Sequence, residues 1–367
     1  MIRPIQLNQK SKNVKIMSAI ASVLSACPNV QVDLFEAFNR YENRIESLPF
    51  LEYLRSPVNT SNITNLVYRG RGKTVDVDVR YFKRFAESEL LESQPNPVCS
   101  GGSTDPDTTA TYTIDTSENV QDLRTFSIHD LERYCADNPF YVADLIMRMV
   151  DNVERGIATK SATQAAALIG KWASDVTVDA DDNLEIATKN ASGAFDVSFL
   201  GDVRLALTKT NYVGGAANFA DTLLYRAYMD AQQGCCNDNG IDVSASLNAY
   251  GIATMWDRRL EAAMTSAQGA NTSMVVQPGA LALLYHTRSE WTDGMPADWK
   301  IGADYAFRPI IGRTGTPLDL TVSDNCGVVT IAVTGTTKVV GLPTDMFKSG
   351  DTFEGVTGVN SIQTVNP

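Results

Sequence analysis

From Thr74 to Tyr81 the chain alternates strictly: Val75, Val77, Val79 and Tyr81 fall on one face, and Asp76, Asp78 and Arg80 on the other. A period of two predicts a half-buried strand. Thr109–Thr116 repeats the pattern with Ala110, Tyr112 and Ile114, so it is the expected partner. The segment between them, Glu87 to Asp107, has no apolar pattern and holds Pro95, Pro97, Gly101, Gly102 and Pro106. The reading is a long two-stranded arm over Asn65–Ser127. Such a hairpin has too little core to stand alone, so its apolar face is expected to be covered by a neighbouring subunit.

Helical spacing follows. Ser127-Ile-His-Asp130 is a capping box opening a helix to about Ala136. Asn138-Pro139 reads as a second start, with Asn as N-cap and Pro at the first helical position. From there Val142, Leu145, Ile146, Met149, Val153 and Ile157 recur on one face, predicting a long helix towards Gly170. Trp172–Ala187 reads as strands around the acidic turn Asp179–Asn183. Val197–Lys209, Asn218–Gln233 and Met255–Ala267 read as helices. Pro278 is expected to open a further helix, Ala280–His286. In the tail, Leu318, Leu320 and Val322, then Val329, Ile331 and Val333, alternate around the turn Asp324–Gly327. Upstream, Val32–Phe38 and Ile45–Leu54 carry apolar stripes, and Ser56-Pro57 ends them.

Composition adds that the chain folds. Its 367 residues are 44% hydrophobic and 20% charged, as in globular proteins. A net charge of −12 argues against nucleic acid as a ligand of the whole surface. The charge is uneven, however. Arg3, Lys10, Lys12 and Lys15 make a basic N-terminal arm without acids, suited to non-specific phosphate contact but lacking an aromatic for base stacking. The outgoing limb of the hairpin holds Arg69, Arg71, Lys73, Arg80, Lys83 and Arg84. The return stretch holds Glu87, Glu89, Glu92, Asp105, Asp107 and Asp115 and no base. Opposite signs on repeated copies are suited to docking between subunits; the simpler reading is a solvated loop of mixed charge.

Candidate chemistry is sparse. Arg69–Thr74 ends like a phosphate-binding loop in Gly72-Lys73-Thr74, but Val67 stands where the earlier glycine is needed and a strand follows. Asp179, Asp181 and Asn183 open like a calcium loop, but Leu184 replaces the glycine. The two histidines, His129 and His286, lack metal-ligand spacing; one lies in the capping box and the other is expected at a helix end. No catalytic residue, metal site or cofactor is expected. Cys27, Cys99, Cys135, Cys235, Cys236 and Cys326 form no CxxC pair and read as free thiols in a reducing compartment. Lys15 followed by Ile16–Ala26 and Leu24-Ser-Ala-Cys27 has the look of a lipoprotein signal, diluted by serines and followed at once by Pro28; a short amphipathic helix or arm is the better reading, and a surface lipoprotein or adhesin is the alternative. No apolar run is long enough to span a membrane.

The order of elements resembles the major capsid proteins of tailed bacteriophages, which share the Hong Kong-97-type fold. The resemblance implies an α+β capsid fold: an N-terminal arm (1–64), an extended β-hairpin loop (65–127), a spine helix with a peripheral domain (128–194), an axial domain (195–317) and a strand-rich C-terminal segment (318–367) partly returning to the peripheral domain. It further implies a virion structural protein that self-assembles as hexamers and pentamers into an icosahedral shell around double-stranded DNA. Portal, scaffold and decoration proteins are the implied partners, and the host bacterial cytoplasm the implied place of assembly. The charged residues from Arg69 to Glu92 named above then become subunit-interface candidates. An encapsulin-like nanocompartment shell would share the fold and hold cargo enzymes instead of a genome.

Overall fold

The structure, a computed structural model, describes residues 46–56, 66–69, 74–82, 107–138, 140–189, 198–210, 215–233, 251–287, 300–301, 305–325, 327–341 and 358–365. Its helices are α1 (Pro49–Arg55), α2 (Ile128–Asp137), α3 (Tyr141–Ala166), α4 (Ser198–Lys209), α5 (Thr222–Gln233) and α6 (Arg258–Gln268). Its strands are β1 (Leu66–Arg69), β2 (Thr74–Phe82), β3 (Asp107–Asp115), β4 (Val120–Ser127), β5 (Leu184–Ala187), β6 (Ala216–Phe219) and β7 (Ile252–Met255). There follow β8 (Thr272–Val276), β9 (Leu281–His286), β10 (Lys300–Ile301), β11 (Tyr305–Ile311), β12 (Pro317–Asn325), β13 (Val328–Gly341) and β14 (Val359–Val365). The class is α+β, as expected.

Three sheets organise these elements: β1-β2-β3, then β10-β11-β12-β13-β4 with β9 also on β13, and β5-β14-β8-β6-β7. The long helix is α3, 26 residues, or about 39 Å at 1.5 Å per residue. Val142, Ile146, Met149, Val150, Val153 and Ile157 are buried along it, the period of 3.6 read from the sequence. They meet Leu318, Leu320, Ile331 and Val333 of the six-stranded sheet in one core with α1 and α6. The sheet comes close to the helix at two glycines. A Cβ on Gly335 would lie 2.5 Å from Ile157 Cδ1, and one on Gly156 the same distance from Val120 Cγ1. A second core joins α4 and the five-stranded sheet around Trp172, Phe199, Leu207 and Val275.

Several expectations need correction. Asn138 does not start α3. It ends α2, and its Oδ1 accepts the N–H of Phe140, the residue before α3; Pro139 lies outside the described residues. The helix expected over Ala280–His286 is strand β9, whose inner positions are buried on both faces, which erases the alternation that marks a strand. His286 is therefore a buried strand residue, not a helix-end residue. The helix expected over Asn218–Gln233 is divided. All four residues of β6 are buried in the five-stranded sheet, and Asp221 then restarts the chain as a helix by accepting the N–H groups of Leu223 and Leu224. Cys135 is disulfide-bonded, with its partner cysteine outside the described residues. The six cysteines are thus not all free, and their count does not set the compartment. The capping box stands: Ser127 Oγ accepts the Asp130 N–H at 3.1 Å and donates to Asp130 Oδ2.

Candidate functional site: the root of the arm

The arm is three-stranded in its described part. β1 pairs with β2 and β2 with β3, both antiparallel, with Val77 opposite Tyr68 on one side and Tyr112 on the other. Val120–Ser127, expected in the arm, belongs instead to the body, where β4 pairs with β13. The strands hold register through polar cross-links as well as the ladder. Thr111 Oγ1 donates to Asp78 Oδ1 and Thr113 Oγ1 to Asp76 Oδ1, each at 2.7 Å. Asp78, expected on a solvated face, is buried.

The apolar face of the arm is covered by its own chain. Val77, Val79 and Ile114 are at most 1% exposed and pack with Ala282 and Leu284 of β9 and Val340 of β13. This corrects the expectation that a neighbouring subunit must bury the face. A strand pair with one apolar side is stabilised by any third layer, and the β9–β13 seam supplies it. Three polar ties fix the same junction. Tyr112 Oη donates to the Gly341 carbonyl at 2.8 Å, and Lys338 Nζ to the Thr113 carbonyl at 2.7 Å. Lys160, from α3, donates to the carbonyl of Glu118 in the turn leading out of the arm. Burial lowers the Lys160 pKa, against the pull of the Glu118 and Asp115 carboxylates, and neighbouring Lys338 lowers it further. The tight turn is closed by Asp115 Oδ1, which accepts from the N–H and hydroxyl of Ser117. Aromatic contacts brace the step from β4 into the helices. Phe126 meets Tyr134 and Tyr141 edge-on with centroids 6.5 and 6.3 Å apart.

A second junction ties α1 to the body. Arg259, at the start of α6, forks onto Glu46 at 3.0 and 2.8 Å. The fork lowers the Glu46 pKa and raises that of Arg259. The Phe50 N–H donates to Asp257, which also caps α6. Arg55 donates to the carbonyl of Gly315, in the turn between β11 and β12. That turn also rests on α3: Glu154 Oε1 accepts from both the N–H and the hydroxyl of Thr314. Burial raises the Glu154 pKa, only partly offset by the Thr314 hydrogen bonds and by Arg313.

Of the interface candidates, Arg69 lies in β1 opposite Asp76, and Arg80 in β2 opposite Thr109. Arg71, Lys73, Lys83, Arg84, Glu87, Glu89 and Glu92 lie outside the described residues, as do Arg3, Lys10, Lys12 and Lys15. So do Val32–Phe38, the stretch read as a diluted lipoprotein signal, and Gly72 and Lys73 of the loop fragment; Thr74, which follows them, opens a strand. Asp179 closes a turn by accepting from the N–H groups of Asp181 and Asn183. His129 is exposed beside Glu132. Among the described residues no group of three or more His, Cys, Asp or Glu is placed to hold a metal ion, and no helix is long and apolar enough to cross a membrane. The anchors Tyr112, Lys160 and Lys338 were not singled out from the sequence. The position of Tyr112 on the apolar side of its strand was the one available signal.

No protein-family description and no curated protein matches the chain. Solved structures do. The chain is similar to the capsid asymmetric unit of cyanophage A-1(L), at 11% identity and a TM-score of 0.46, over 83% of this chain and 91% of that one. It is similar to the capsid of Ralstonia phage GP4, at 11% identity and a TM-score of 0.38, over 80% and 83%. A virus-like particle from Pyrococcus furiosus is similar at 10% identity and a TM-score of 0.37, over 90% and 98%.

Proposed function

We propose that this chain is the major structural subunit of an icosahedral shell of the tailed-bacteriophage type, built by self-association and enclosing double-stranded DNA. The observation that carries the proposal is the rooted arm. A three-stranded blade is packed and hydrogen-bonded to the body at its base, and residues 83–106 are the stretch of sequence that joins β2 to β3. In this reading, α3 is the spine. The charged residues Arg69, Arg71, Lys73, Arg80, Lys83, Arg84, Glu87, Glu89 and Glu92 meet adjacent subunits of hexamers and pentamers. Arg3, Lys10, Lys12 and Lys15 face the packaged genome, and portal, scaffold and decoration proteins complete a virion assembled in the host cytoplasm. Many copies of a weak arm contact close a shell cooperatively.

Electron microscopy of the purified protein tests this reading. Icosahedral particles are expected, and a uniformly monomeric preparation overturns it. Nucleic acid in the particles supports a virion, whereas enzyme cargo supports the nanocompartment instead. Deleting residues 83–106 spares the Val77–Leu284 packing, so the variant is expected to fold but not to close shells. Normal particles from it would falsify the role of the arm.

A further inference from the structure

Strand β14 follows every other element in the chain, yet it lies between two strands of its sheet, parallel to β5 and antiparallel to β8. Among the described residues it is the only strand partner of β5. Its two faces serve different cores: Val359 packs in the core on α3, and Ile362 in the core around Trp172 and α4. Segments remote from one another in sequence meet on it. The Trp172 indole N–H donates to the Ser361 carbonyl at 2.9 Å, and Asn360 Nδ2 donates to the carbonyls of Gly170 and Lys171. The Gly170 N–H in turn donates to the Val359 carbonyl. Thr364 Oγ1 donates at 2.6 Å to Asp221, the carboxylate that caps α5. The Thr364 N–H donates to the Asn271 carbonyl, just before β8.

Trp172, Asp221, Asn360 and Thr364 are all buried, so parting them from one another leaves polar groups unbonded unless water enters with the opening. A strand of four residues such as β5 does not persist without a partner, and Leu184 and Ile186 of β5 pack with Phe199 and Leu200 of α4. The packing of α3 on β12 and β13 draws only Val359 from β14, and the root of the arm draws nothing from it. We propose that β14 is a latch on the second core. The core closes when this strand docks. When the strand leaves, β5, the Gly170–Trp172 stretch and the first turn of α5 open with it as one unit, while α3, β12, β13 and the arm root stay closed. A growing chain passes through the same open state, because β14 is synthesised after every element it joins. The latch does not depend on the chain forming a shell.

Hydrogen exchange of the full-length protein, read by mass spectrometry, tests the latch. Amides of β14, β5 and the first turn of α5 are expected to share one protection factor, lower than that of α3, β12 and β13. Ile362→Ala with Thr364→Val removes contacts to the second core and to Asp221. This pair is expected to lower the shared protection factor about tenfold or more, with β12, β13 and the arm strands β2 and β3 unchanged. Exchange of β5 independently of β14 overturns the proposal. So does equal protection of β14 and the six-stranded sheet, or an acceleration that spreads evenly through the chain. The map of the native protein decides by itself if the double variant does not fold.

Discussion

Glu154 and Thr314 are 160 positions apart, yet Glu154 Oε1 accepts both the backbone N–H of Thr314, at 2.9 Å, and its hydroxyl, at 2.7 Å. The contact pins the β11–β12 turn to the middle of α3. It is tight, because a Cβ on Gly312 would lie 2.3 Å from the same carboxylate oxygen. Burial raises the pKa of this carboxyl, so the folded chain holds the proton more firmly than the unfolded chain. Its stabilising contribution is complete below the unfolded pKa and is lost as pH rises through the folded one. Glu154→Gln stays neutral throughout. The melting temperature of the native protein relative to Glu154→Gln should therefore fall as pH rises above the ordinary carboxylate range. A constant difference across a thermal unfolding series rejects the assignment.

Gly335 tests the closeness of helix and sheet. Its missing Cβ would meet Ile157, Leu318 and Val153 at 2.5, 2.8 and 3.3 Å. Gly335→Ala should destabilise the chain by roughly 1–3 kcal/mol through overpacking, measured by denaturant unfolding. An unchanged midpoint would show that β13 shifts away at little cost.

The root of the arm can be loosened in two steps. Tyr112→Phe removes the hydrogen bond to the Gly341 carbonyl and should cost about 1 kcal/mol. Val77→Ala, at a site with no exposure, should cost roughly 1–3 kcal/mol. Proteolysis confined to residues 74–115 should accelerate in both. If the whole chain becomes equally sensitive, the root is not a separable unit.

Charge on the arm is tested by salt. Arg80, Lys83 and Arg84 replaced together by glutamate should impair assembly, most strongly at low ionic strength where charges are least screened. Light scattering follows particle formation. Equal assembly of variant and native protein throughout the salt series removes the charge-docking proposal.

The sequence makes elements with one wet face legible. β2, β12, β13 and α3 expose part of their surface, so their periods survive in the residue pattern. Elements enclosed on both sides are not legible in this way. Leu281-Ala-Leu-Leu284 is wholly apolar, and Ala216–Phe219 is buried at every position, Asn218 included; the first reads as a helix, and Asn218 and Phe219 read as the start of the helix that follows them. The arm itself was legible from the alternation of Val75, Val77 and Val79. Its seat was not, because that seat consists of Ala282, Leu284 and Val340, more than 160 positions later. Lys338 and Lys160 are single cations in sequence and become anchors only where β13 and α3 meet the departing β3.

β13 has two successive partners on one edge: Val328–Gly335 lies beside β4, and Thr336–Gly341 beside β9. The arm is fastened to its second half, through Val340, Lys338 and Gly341. A pull on the far end of the arm therefore loads one continuous strand whose first half is also hydrogen-bonded to β12. The load is shared along these ladders as shear, with many hydrogen bonds resisting together rather than opening one after another. The load thus falls on the sheet that covers α3.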